Sequence, residues 1–184
     1  MTTPELNLPD LSRLRGVVAP EILHAVEVAS AELSKAGGPH ALAGGLAVGA
    51  HGYPRTTDDV DFLVGDEAFE HHVGGLVTLR VPLIAVGKVR VDLVPIDPSP
   101  EERKQLLPAV ESPPRSERIP IVPLEALIYM KLKAYRQKDI ADLVELLKRG
   151  RIDSDEVGRR LAQSTPDLVR KWDSVRKAAA EEDK

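Results

Sequence analysis

Between residues 20 and 35 the chain reads PEILHAVEVASAELSK, and its apolar side chains return every three or four positions. That period predicts an amphipathic helix, opened by a proline whose missing N–H costs nothing in the first turn and closed by Ala36-Gly37-Gly38. HALAG, residues 40–44, is too short for a helix and reads as a buried strand ending in glycine. LAVGAHG then predicts a short helix and YPRTTD a turn. At Asp59 the period changes to two: DVDFLV alternates polar and apolar and predicts a strand. EAFEHHVGG gives only a weak helix or loop, and residues 76–96 predict two strands meeting in a hairpin near Gly87-Lys88. The Pro-, Ser- and Glu-rich stretch 97–118 predicts an excursion around a short helix at 101–107, and RIPIVP a last short strand. From Leu124 onward four helices are expected, over 124–135, 139–148, 154–163 and 166–180, before a fraying tail. The fold class is therefore α+β: residues 1–123 form a sheet-bearing core, and residues 124–184 a helical region packed on it.

Composition narrows the function classes. Hydrophobic residues are 42% of the 184 positions but aromatics only 3%, so the core is aliphatic and an aromatic platform for stacking nucleobases is disfavoured. A net charge of −4 disfavours a general nucleic-acid binder, although residues 131–138 could form a local basic surface. The absence of cysteine excludes disulfides and thiolate zinc sites and fits a cytoplasmic location. No basic start followed by an apolar run suggests a secretory signal, no run of about 18 apolar residues suggests a membrane span, and no internal repeat is visible.

The candidate chemistry lies in the strands. Asp59, Asp61 and Leu63 share one face of DVDFLV, and Val60, Phe62 and Val64 the other, with Asp58 out of phase in the turn. In VRVDLVP, Arg90, Asp92 and Val94 share a face, so a common sheet would bring Asp92 to Asp59 and Asp61. Carboxylates about 4 Å apart repel by about 4 kcal/mol at an effective dielectric near 20, and a divalent cation reverses that sign. Oxygen-only donors suit Mg²⁺, and a pair of such ions suits phosphoryl chemistry. D-x-D alone is equally the wet side of an edge strand. Gly44-Gly45 shifts the balance, because a glycine pair at a strand-to-helix junction lets backbone approach phosphate.

Taken together, GGLAVGAHGYPRTTDDVDFLV resembles the signature of the nucleotidyltransferase superfamily. Its form G-G-x-A-V-x-x-H-G-x-x-R-x-T-x-D-x-D is similar to the AbiEii-like, toxin-type branch, and aminoglycoside- and lincosamide-modifying nucleotidyltransferases carry a related version. The resemblance spans about residues 40–147. It implies a polymerase-β-like core, Gly44 and Gly45 at the nucleotide triphosphate, and Asp59, Asp61 and Asp92 as metal ligands. A second motif, K-L-x-A-x-R-x-K-D-x-x-D-L from Lys131 to Leu143, also looks like that branch, where a lysine and an acid close the site. Lys131 interrupts the apolar face Leu124, Leu127, Ile128, Tyr135, and a nucleotide phosphate is its expected partner in preference to snorkelling. Asp139 is either a site residue or a helix cap, Asp142 its neighbour one turn on, and Arg55 either a phosphate clamp or an exposed turn residue. His51 reads as packed or capping, and His71-His72 make no case for metal.

The expectation is a Mg²⁺-dependent enzyme that moves a nucleoside monophosphate from an NTP such as ATP to a hydroxyl of a tRNA 3′ end, a protein or a small molecule, with Asp92 as general base. The alternatives are an antibiotic nucleotidyltransferase, or a weakly active nucleotidyltransferase-fold partner of a cognate toxin or antitoxin.

Overall fold

The computed structural model describes residues 8–71, 77–79 and 86–182. Helix α1, Pro20–Lys35, is followed by strand β1, His40–Leu42, helix α2, Gly44–Ala50, and strand β2, Asp59–Val64. Strands β3, Phe69–His71, and β4, Val77–Leu79, pair with each other, and β5, Arg90–Pro95, precedes helix α3, Pro100–Glu111. A short pair, β6 at Arg115–Ser116 and β7 at Ile119–Pro120, leads to helices α4, Leu124–Ala134, α5, Gln137–Lys148, α6, Ser154–Ser164, and α7, Val169–Glu182. Seven α-helices and a small mixed sheet among the described residues make this an α+β structure. No helix among the described residues is long and apolar enough to cross a membrane.

The sheet is ordered β1-β2-β5, antiparallel on one side of β2 and parallel on the other. Its apolar face follows from the alternation in DVDFLV: Val60, Phe62 and Val64 are fully buried. Helix α1 covers that face. Ile22, Ala25, Val26, Ala29 and Leu33 form its buried stripe. Ser30 of α1 meets His40 Nε2 at 3.1 Å, and the His40 ring lies edge-on to Phe62 with centroids 5.6 Å apart. The opposite face carries the acids. Leu63 is buried there too, so β2 alternates at its polar end and is apolar throughout at the other. One continuous hydrophobic core runs from Leu14 through the sheet to Trp172, Val175 and Ala179 of α7.

Several elements differ from the expectation in instructive ways. Helix α3 continues to Glu111 through Pro108, because Leu106, Ala109 and Val110 are buried and hold the last turn. Residues 69–71 are a strand rather than a weak helix. Chain reversal at Gly87-Lys88 is present, with Val86 bridged to Val89 and Gly87 at φ +60°, but β5 lies parallel to β2. Residues 76 and 80–85 of the expected hairpin, and residues 72–75 with His72, fall outside the described residues. Helix α4 stops at Ala134 because Tyr135 turns left-handed, at φ 51°. Lys171 of α7 donates to the Leu132 carbonyl at 2.9 Å and so ties α7 to the end of α4.

Candidate functional site

Strand β2 brings Asp59 and Asp61 onto the face away from α1, and its parallel register with β5 sets Asp61 beside Asp92 and Asp59 beside Arg90. Paired residues on neighbouring strands point the same way, so the three carboxylates converge. An oxygen from each lies within 4.8 Å of the other two, a donor set that could hold a metal ion.

The chain reaches this point through a turn that tolerates no side chain. Ala43 N–H donates to the Asp61 carbonyl at 2.8 Å, closing β1 onto β2, and Gly44 then turns with φ +60° to start α2. A β-carbon on Gly44 would stand 1.9 Å from Asp61 Oδ2, so the Asp61 carboxylate rests directly on bare backbone. Gly45 is nearly as confined, with a β-carbon 3.1 Å from Arg55 Nη2 and 3.3 Å from Thr57 Oγ1.

The three acids have different surroundings. Asp59 accepts from Thr57 Oγ1 at 2.8 Å and from Arg90 Nη2 at 3.0 Å. Burial pushes its pKa up, but the Thr57 hydroxyl, Lys138 and Arg90 outweigh that and hold it below the ordinary value. Asp92 has Arg90 Nε 3.0 Å from Oδ2. The Asp61 carboxylate makes no hydrogen bond or ion pair among the described residues. Burial, and then the charges of Asp59 and Asp92, push its pKa up.

Beside the acids lies a second, buried charge network. Lys131, with a side chain 6% exposed, donates to Asp139 Oδ1 at 3.1 Å and Asp142 Oδ2 at 2.7 Å. Arg55 takes Asp142 in a two-pronged grip, Nε at 2.7 Å and Nη2 at 2.9 Å, and Arg136 Nε donates to Asp139 Oδ2 at 2.8 Å. Asp139 also accepts from the Arg136 N–H, so it is both an N-terminal cap of α5 and a partner of Lys131. The network has three cations and two anions, and it ties α4 and α5 to the loop before β2.

All eight residues singled out from the sequence, Gly44, Gly45, Arg55, Asp59, Asp61, Asp92, Lys131 and Asp139, line one cleft of about 380 Å³. The roles of the cations differ from the simplest expectation. Lys131 does not snorkel and already has two carboxylates, and the fork of Arg55 is spent on Asp142. Arg90, Arg136 and Lys138, to which the sequence reading assigned no site role, also line the cleft. The alternation of β5 had already set Arg90 on the face of Asp92, two residues away, and Arg136 and Lys138 fall in the basic stretch 131–138. Lys138 is exposed, with no ion pair among the described residues. His51 is buried, caps α2 and donates from Nε2 to the Val122 carbonyl at 2.8 Å, which makes it a packing residue.

No protein-family model matches the chain, and no curated protein matches it.

Proposed function

We propose that this chain is a nucleotidyltransferase with a polymerase-β-like core, transferring a nucleoside monophosphate from an NTP to a hydroxyl acceptor with release of pyrophosphate. The observation that carries the reading is Asp61: a half-buried carboxylate without a bonded partner, flanked within 4.8 Å by Asp59 and Asp92 and seated on a glycine. Such a cluster is stable when a cation joins it, and its all-oxygen donors fit Mg²⁺. Asp59, Asp61 and Asp92 would hold the ion or ion pair, whose contribution is to neutralise phosphate charge and make the acceptor hydroxyl more acidic.

The remaining work belongs to the chain. Before any cation binds, Thr57 and Arg90 keep Asp59 ionised and fixed. Gly44 lets the Asp61 carboxylate rest on the backbone and Gly45 gives room to Arg55 and Thr57, so the pair shapes the surface against which a polyphosphate would lie. Lys138, without an ion pair among the described residues, supplies a positive charge that acts on the acids through space. Asp92, partly exposed, accepts the proton of the attacking hydroxyl as its oxygen bonds to the α-phosphorus and the bond to the β-phosphate oxygen breaks. The cleft volume suits a single nucleotide-sized ligand. The two sequence motifs support placing the enzyme with the AbiEii-like, toxin-type branch, whose acceptors would be tRNA or protein.

The test incubates the protein and Mg²⁺ with each α-³²P-labelled NTP and, separately, total tRNA, a protein mixture and an aminoglycoside–lincosamide panel. Label should move to one acceptor class, and Asp61→Asn should abolish it. No transfer to any class, together with no Mg²⁺-dependent rise in Tm with any of the four NTPs, overturns the proposal.

A further inference from the structure

Among the described residues, Arg90 is the one cleft cation that touches two of the three acids. Its Nη2 is 3.0 Å from Asp59 Oδ2 and its Nε 3.0 Å from Asp92 Oδ2, so a single guanidinium spans the two strands at the mouth of the triangle. The arrangement is set by register: Arg90 lies directly across from Asp59 and two residues before Asp92 on the same face. Yet its side chain is 68% exposed, and these two contacts are its bonded partners among the described residues. By contrast, Arg55 and Lys131 are fixed to buried carboxylates, and Lys138 reaches the acids only through space.

We propose that Arg90 is a displaceable counter-ion: it neutralises Asp59 and Asp92 in the free protein, yields their oxygens to an incoming divalent cation, and transfers its guanidinium to the phosphates of the nucleotide. This rests on the metal-site reading above and deepens it. An arginine keeps its charge at any working pH, so it clears the site only by rotating away. The exposed side chain has water around it in which to do so, and the freed fork matches a phosphate. The consequence is regulatory. A cation alone must displace an existing positive charge, whereas a cation arriving with polyphosphate also gives that charge a new partner. Metal and nucleotide are thereby made to bind together.

The test titrates Mn²⁺ alone, followed by the electron paramagnetic resonance signal of the free ion, against wild type, Arg90→Gln, Arg90→Lys and Asp61→Asn. Arg90→Gln should bind Mn²⁺ about three- to thirty-fold more tightly, the range expected from releasing two exposed ion pairs. Arg90→Lys, a point charge that cannot span both acids, should fall between. In saturating Mn²⁺, Arg90→Gln should bind a non-hydrolysable NTP analogue several-fold more weakly. Unchanged or weaker Mn²⁺ binding in a folded Arg90→Gln overturns the counter-ion role, and an analogue affinity that does not fall overturns the transfer to phosphate. If no variant shows Mn²⁺ binding that Asp61→Asn removes, the metal-site reading fails instead.

Discussion

Replacing Asp61 with Asn removes one negative charge from the middle of the acidic cluster while keeping its shape. At 4.8 Å, the widest separation of the three donor oxygens, two like charges repel by about 3.5 kcal/mol at an effective dielectric near 20 and by about 0.9 kcal/mol in bulk water. Asp61 has two such neighbours and lies between those limits, half-buried at the cleft floor. Lys138 and Lys131 attract it and offset part of the repulsion. A net stabilisation of about 1–2 kcal/mol is expected in the metal-free protein, raising Tm by about 2–8 °C for a chain of this size. Urea unfolding in EDTA at low ionic strength measures it. The pH dependence gives a second check. Burial, and then Asp59 and Asp92, raise the proton affinity of folded Asp61 above that of the unfolded chain. Wild type therefore loses stability as pH rises through the folded pKa, and the loss is absent below the ordinary value of 3.8. The gap between Asp61→Asn and wild type should open with rising pH and close in acid. Adding Mg²⁺ should then stabilise wild type but not the variant. A variant that is less stable at neutral pH, or a gap that ignores pH, would show that the carboxylate is a structural group and refute the reasoning.

Gly44→Ala should lower stability by about 1–2 kcal/mol from its left-handed backbone alone, and more because its β-carbon falls 1.9 Å from Asp61 Oδ2. The same variant should lose any Mg²⁺-dependent NTP response in a thermal shift assay; an unchanged response would remove the glycine from the site. Lys131→Met should cost about 3 kcal/mol in chemical unfolding, the lower end for breaking a buried ion pair, because Arg55 and Arg136 still face the two acids. A loss below about 1 kcal/mol would show that those two arginines suffice.

Local pattern carried much of this protein. The helical period of residues 20–35, the two-residue period of DVDFLV and the separate faces of Asp59/Asp61 and Val60/Phe62/Val64 are consequences of backbone geometry, so they are written in consecutive residues. Within their strands, Asp59 and Asp61 share the face that lines the cleft, and Asp92 the matching face of β5, because alternation fixes which way each side chain points. What neighbouring residues cannot encode is who meets whom across long separations. The parallel pairing that puts Arg90 between Asp59 and Asp92 joins positions 31 residues apart, and the Arg55–Asp142 grip joins positions 87 apart. Lys131 shows the difference most clearly. Its place on an apolar stripe announced that it needed an anion, but only the packing of α4 against α5 decided that the anions are Asp139 and Asp142. Charge partners are set by three-dimensional proximity in a low-dielectric interior, and that proximity comes into being when the chain folds.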